Sequence, residues 1–510
     1  MQTTLPDGRI LNNLYYGSGH LHQVNLDGEV ITDIERDRAH RMVARTQGAL
    51  VSQFRYDPVG RLLSQTAGEG ASTIITRKYE YDEVGNLVSI DDQRNGVTRY
   101  SYDPIGRILS AVQPQSSERF AFDPAHNLLD ATVAPVGRVE GNRIRVYEDK
   151  RYDYDGHGNV VEKLVGKHTR MRFEWNPGHQ LVRSVVARGP TDSAQTVSYA
   201  YDPFGRRISK RDAFGVTRFV WDGNRLLCEE RGSHARTYVY GEDAFVPLAG
   251  LDSVAGADGA EPAEMRHLHT DHLGTPRELT DADGRVVWAA RYRAWGNVLE
   301  VVREEVPVVV LPDEIGEVQP VRFQGQYHDN ESGLHYNRFR YYDPDIGRFV
   351  SIDPIGLAGG TNGYGYASNP VGWVDPAGLS PCKNGNTEGA NKIATPASWG
   401  LTLSETKTVL SSAQVPYKGS TIVGHALAKH SGRPVTFSNP SVSGAEVWGK
   451  IKGKMTTWNE QGKFHLKDII RAPGDFSPIA DGNLVFLEKR LPDGRGVRLN
   501  QDKTFKEFID

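Results

Sequence analysis

The sequence predicts a mainly β protein that ends in a small α+β domain. Two observations predict it. A short unit, aromatic-x-aromatic-Asp-x-x-Gly-Arg/Asn-Leu/Ile, recurs across the first 260 residues. Composition then changes at Ser380: residues 380–510 carry 18 Lys and Arg against 12 Asp and Glu, while the preceding 379 carry 42 against 52. An acidic large part followed by a basic small part implies different partners for the two.

Fifty-four glycines and 22 tyrosines among 510 residues suit many turns and aromatic strands. Cys228 and Cys382 lie far apart, with no metal-ligand spacing, so neither a disulfide framework nor a cysteine metal site is implied. No apolar run reaches the length of a membrane span. The opening MQTTLPDGRILNN is polar, unlike a signal peptide, and reads as the interior of a longer protein.

The unit appears as FRYDPVGRLL, YEYDEVGNLV, YSYDPIGRIL, FAFDPAHNLL, YDYDGHGNVV, FEWNPGHQLV, YAYDPFGRRI and FVWDGNRLLC. Its turn residue falls at Asp57, Asp82, Asp103, Asp123, Asp155, Asn176, Asp202 and Asp222. A period near 20 residues marks a repeat architecture. Each copy makes sense as a hairpin. The aromatics, two apart, share one face of a strand. Asp caps the turn, Pro sets φ and Gly accepts positive φ. One hairpin cannot bury its aromatic face alone, so copies must stack, and stacking in parallel would give a long curling sheet.

This pattern resembles the YD repeats of the RHS (rearrangement hot spot) family. The resemblance implies a β cocoon, a spiralling antiparallel sheet shell, over residues 1–260. It also implies an RHS core over 261–379 and a C-terminal toxin over 380–510. HLHTDHLGTPRE, from His267, resembles the signature of that core. His267, His269 and His272 with Asp271 have a spacing that a metal could use. Such histidines more often bond the backbone, and no metal ligand or cofactor is assigned. Residues 304–320 lack repeat character and read as an insertion or loop.

The core closes with GLHYNRFRYYDPDIGRFVSIDPIGLAGGTNGYGYASNPVGWVDPAGL, Gly333–Leu379. Pro370 to Leu379 matches the family pattern PxxxxDPxGL. RHS proteins with this motif are autoproteolytic, so the resemblance places Asp353 and Asp375 in an aspartate pair that cuts between Leu379 and Ser380. The chemistry is reasonable. Close carboxylates take different pKa values, giving one base and one acid. Asp375 stands four residues before the bond, and Asp353 must come from a neighbouring strand. Arg340 and Arg348 are cations that could orient or depress one carboxylate. The intramolecular substrate has a high effective concentration.

After Ser380 the polar SPCKNGNTEGANK reads as a mobile linker. In STIVGHALAKHSGRP, Ile422, Val423, Ala426 and Leu427 form an apolar helical stripe with His425 and Lys429 together off it, His430 nearer the buried side, and Gly432 as a stop. VSGAEVWGKIKGKMTTWN reads as a second helix. LVFLEKRL and GVRLN read as strands joined by Pro492-Asp493-Gly494, with Arg498 and Asn500 on or beside them. His, Lys and Arg without a metal set suit RNA cleavage by its own 2′-hydroxyl: a histidine takes the proton and cations hold the developing charge. The positive balance suits a polyanion. The helix followed by a hairpin resembles toxin ribonucleases of the barnase–EndoU–colicin E5/D–RelE group. That resemblance carries His425, Lys429, His430 and Arg498 into the active site, with Asn500 or Thr504 on the strands and His465 in reserve. An NAD-consuming transferase, using Glu488 or Glu507, a DNA-targeting effector and a non-catalytic receptor-binding module remain as alternatives. The expected partners are RNA, a cognate immunity protein and a secretion-system spike or other delivery component reached through a preceding region. The expected setting is interbacterial competition, as a secreted effector delivered into target cells, for instance by type VI secretion.

Overall fold

The computed structural model describes residues 2–70, 72–131, 138–189, 194–241, 245–256, 259–260, 264–303 and 319–383. Further on it describes 409, 411–417, 420–423, 426–427, 459, 461–463, 465–466, 469, 476–481, 484–491, 495–500 and 504–509. The chain divides into two compact units, Met1–Ala390 and Asn391–Asp510.

In the first unit the repeats form antiparallel meanders. Among the described residues, a 13-stranded sheet runs from Gln2–Thr4 to Leu128–Asp130 and a 16-stranded sheet from Val146–Tyr147 to Val298–Arg303. Strands follow sequence order along each sheet, with Gly259–Ala260 set off the path. Successive hairpins therefore join edge to edge, rather than stacking in parallel, because each return strand is itself the free edge nearest the next copy.

The turn chemistry is as the sequence implies. Asp57 Oδ1 accepts from the amides of Val59 (3.0 Å) and Arg61 (2.8 Å), and Gly60 adopts φ 93°. His126 and His179 stand in the glycine position of two units, at φ 62° and 59°. The arginine does more than close its own turn. Arg61 bonds Asp57 Oδ2 at 2.6 Å, reaches the Asp82 carbonyl of the next turn at 3.3 Å, and lies over the Tyr81 ring. Arg41 and Arg107 repeat this towards Asp57 and Asp123.

The two aromatics of a unit also divide their work. The first is buried, as in Phe54, Tyr79, Phe120, Tyr152, Phe173, Tyr199, Phe219 and Tyr238. The second donates to a carbonyl at the start of the previous return strand: Tyr56 to Met42, Tyr81 to Leu62, Tyr102 to Leu87, Trp175 to Val160, Tyr201 to Leu181 and Trp221 to Arg207. Register shifts sit just before these residues.

The first aromatics are not covered by neighbouring copies alone. The segment from Gln319 to Leu379 supplies much of the cover. Its four-stranded sheet, Tyr327–His328, His335–Asn337, Arg340–Asp343 and Arg348–Phe349, shares one apolar core with the repeats. Buried ion pairs fix its place. Arg207 bonds Asp329 at 2.5 Å and stacks on Tyr199, Phe219, Tyr327 and Tyr336. Lys163 meets Asp343 at 2.7 Å and Asp345 at 2.8 Å. Elsewhere Arg77 joins Asp92 of the first sheet to Glu278 of the second.

The core histidines are packing residues. His269 Nε2 lies 2.9 Å from Thr280 Oγ1, and His272 Nε2 3.0 Å from the Val371 carbonyl. Burial lowers His267 to about 4. Among the described residues no three His, Cys, Asp or Glu gather as metal ligands, and no helix is long and apolar enough to cross a membrane. Of the expected insertion, 304–318 lie outside the described residues.

The expected linker begins as structure. Cys382–Lys383 pair antiparallel with Trp373–Val374. In the second unit, Ser477–Asp481, Leu484–Arg490, Gly496–Leu499 and Phe505–Ile509 form a four-stranded antiparallel sheet. The stripe Ile422, Val423, Ala426 and Leu427 is helical and shares a core with Val497, Leu499, Phe505 and Phe508. Of the second expected helix, 442–458 lie outside the described residues, and Asn459 at its end is helical.

Arg207→Ala would leave Asp329 buried beside Lys210 alone, at 3.3 Å. The expected loss is about 3–5 kcal/mol of stability, read as an earlier denaturation midpoint for the first unit.

Candidate functional site

The last turn of the first unit, Asp375-Pro376-Ala377-Gly378, is where the site forms. Gly378 takes φ 70°, and its amide returns to the Asp375 carbonyl at 3.2 Å. The chain then doubles back, so that Asp375 Oδ1 accepts from the amides of Leu379 (2.9 Å) and Ser380 (3.1 Å). One carboxylate oxygen thus spans the Leu379–Ser380 bond. Its other oxygen, Oδ2, is buried with no hydrogen-bond partner.

Arg340 occupies the centre. Its Nη2 is 3.0 Å from Asp353 Oδ2 and 3.6 Å from Asp375 Oδ2, Nε donates to the Gly378 carbonyl, and Nη1 to that of Gly363 at 3.2 Å. The guanidinium lies 3.6 Å over the Phe349 ring. Asp353 opens its own Asp-Pro turn, bonding the Ile355 amide at 3.0 Å. A methyl group built on Gly359 would meet both Asp353 Oδ2 (2.2 Å) and the Leu379 carbonyl oxygen (2.9 Å). Asp353 therefore faces the carbonyl side of the bond, and Asp375 its nitrogen side.

Burial sets the electrostatics. It pushes Asp375 up to about 6, against the pull of Arg340 and the two amides, with Asp353 adding its repulsion. Burial also raises Asp353, again opposed by Arg340. It lowers Arg340 to about 10. Desolvation outweighs the cation between the carboxylates, leaving a proton available near neutral pH.

Arg348, expected beside the pair, is used elsewhere. It bonds Asn127 Oδ1 (3.0 Å), the Asn142 carbonyl (2.7 Å) and Asn362 Oδ1 (3.3 Å), tying the core to the repeats. Three neighbours escaped the sequence reading. Asn337 donates to the Asp375 carbonyl at 2.9 Å, Tyr366 OH accepts from the Asp375 amide at 3.4 Å, and Gly359 makes the close approach. The glycine pair at Gly359-Gly360 was the signal available for the last.

In the second unit, His425, Lys429 and His430 lie outside the described residues. Arg498 is held by Glu488 at 2.5 Å and by Glu507 at 3.4 Å, over the Phe486 ring. Asn500 closes the turn to Thr504 at 2.8 Å. His465 Nδ1 lies 3.0 Å from Arg495.

Residues 56–98 and 81–118 match the family described as RHS Repeat, and 265–302 that described as RHS protein. The chain belongs to the RHS family. Residues 410–510 of this RHS chain match the CdiA C-terminal tRNase toxin domain. The chain is 41% identical over 466 residues to the double-stranded DNA deaminase toxin A of Burkholderia cenocepacia, covering 82% of this chain and 32% of the relative. It thus spans about a third of that relative's length. The Photorhabdus luminescens Tc holotoxin pore matches 75% of this chain and 21% of its own, at 19% identity and TM-score 0.58. At that identity the likeness is one of fold, and the fold is the antiparallel β shell that the repeats imply. The toxic C-terminal tip of CdiA from Pseudomonas aeruginosa, solved in complex with an immune protein, is 56% identical over 20% of this chain and 99% of that chain, with TM-score 0.17.

Gly359→Ala should displace Asp353 from the Leu379 carbonyl. If the bond is cut by this pair, the appearance of a second intact mass should slow by at least about tenfold, since small misplacements of reacting groups cost orders of magnitude.

Proposed function

We propose that this chain is the shell and toxin portion of an RHS effector that cuts itself after Leu379 and carries a metal-independent ribonuclease. The observation behind the cut is that Asp375 Oδ1 accepts from the Leu379 and Ser380 amides, on either side of the Leu379 carbonyl, while its Oδ2 is buried without a hydrogen-bond partner. Asp353, on the carbonyl side, is the base that takes a proton from water. Asp375, raised by burial, is the acid that protonates the leaving nitrogen of Ser380. Arg340 holds the turn through Gly378 and opposes the rise that burial imposes on Asp353. Tyr366 and Asn337 hold the Asp375 backbone. Arg348 supports the site through the Asn362 turn only.

Intact mass of freshly purified wild-type protein should show two chains meeting at Leu379–Ser380, and Asp375→Asn a single chain. The acid form of Asp375 is the active one. Its rate of cutting, followed after a pH jump, should therefore fall as pH rises through about 6, and fall again at low pH once Asp353 is protonated. A flat profile would remove Asp375 as the acid.

For the cargo, the match of residues 410–510 to a tRNase toxin domain supports transfer RNA as substrate. His425 is the base, Lys429 and His430 act with it, and Arg498 and Asn500 join them from the strand Gly496–Leu499 and the turn that follows it. A cognate immunity protein protects the producer, and delivery into competing bacteria depends on regions beyond this chain. The isolated C-terminal piece should degrade transfer RNA in EDTA, and His425→Ala should lose at least about a hundredfold. Intact RNA would sink the ribonuclease reading and leave the cut untouched.

A further inference from the structure

The geometry points to a second role for the aspartate pair: once the bond is broken, Asp375 and Asp353 become a clamp that holds the two new chain ends. This rests on the self-cleavage reading above.

The clamp follows from following the protons. Water oxygen bonds to the Leu379 carbonyl carbon, and the bond from that carbon to the Ser380 nitrogen breaks. One water proton goes to Asp353. The Asp375 proton goes to the Ser380 nitrogen, which takes its last proton from the new Leu379 carboxyl group. The products are a Leu379 carboxylate and a Ser380 ammonium, with Asp353 now protonated and Asp375 ionised. One turnover has exchanged the protonation states of the pair.

The exchanged state fits the ends it has made. Asp375 Oδ1 already stands 3.1 Å from the Ser380 nitrogen, so its new carboxylate faces the new ammonium. Asp353 Oδ2 and the Leu379 carbonyl oxygen lie 2.2 and 2.9 Å from the point where a Cβ on Gly359 would stand, and the missing side chain leaves the two oxygens facing one space, so the new carboxyl proton of Asp353 faces the new carboxylate. Two further contacts keep the ends in reach. The Leu379 amide remains on Asp375 Oδ1 at 2.9 Å. On the cargo side, Val374 pairs with Cys382 and Trp373 with Lys383, a ladder that the cut does not touch. The first residues of the cargo are thus part of a strand pair in the first unit, and the Ser380 ammonium is the ligand of Asp375.

The test uses the full chain after it has cut itself. Trace acetylation with acetic anhydride is run across a pH series in native buffer, and Ser380 acetylation is compared with that of lysines in the same sample. A free α-amine titrates at about 7.7–8.0. Burial alone lowers an amine, whereas a facing carboxylate raises it, so the sign separates the two causes. The clamp predicts half-reactivity clearly above pH 8 in native protein, returning to about 8 in denaturant. A native value at or below about 8 overturns the clamp while leaving self-cleavage standing. A single uncut mass, with no Ser380 amine to label, overturns both.

Discussion

A sheet that grows by adding hairpins must satisfy a carbonyl at each bulge, and the following copy supplies the donor. Tyr102 reaches Leu87, Trp175 reaches Val160 and Tyr201 reaches Leu181. The phenol or indole at the second aromatic position is therefore a register lock as well as a packing group. Arginine adds a second stitch by crossing to the next turn's carbonyl. Phe122 lacks a donor, and its hairpin is the last of the first sheet. There the core turn around Asn362 bonds Ala125 and Asn127 instead.

Everything near the Leu379–Ser380 bond depends on that scaffold. Arg340 carries a charge into a place where 1% of its side chain is exposed. Such a charge is tolerable only because two carboxylates, two carbonyls and the Phe349 face surround it. The same dryness raises both aspartates. A surface pair with the same spacing in sequence would stay ionised and inert.

Local chemistry was legible and partnership was not. The Asp-Pro-x-Gly turns, the buried first aromatics and the apolar stripe from Ile422 to Leu427 all follow from spacing within one element. The antiparallel join of successive hairpins does not, since it depends on which edge is free. Arg348 illustrates the limit. It lies five residues from Asp353, yet its partners Asn127 and Asn142 stand 221 and 206 residues away in sequence. Arg340 was named for the right neighbourhood, but its bond to Gly378, which makes the DPAGL turn rigid, belongs to tertiary structure. Gly359 offered only the glycine pair it shares with Gly360, because what it contributes is an absent side chain.

Gly325, at φ 78°, packs so closely on Pro376 that an added methyl would sit 1.9 Å from the Pro376 carbonyl oxygen. The terminal turn and the segment around Gly325 can therefore take their native places only together. Asp353, Arg340 and Asp375 meet only where that fit is complete. The cut proposed here would then act as a proofreading mark: a chain whose closing turn is not seated keeps its cargo covalently attached, and a severed bond certifies that the turn has found its place.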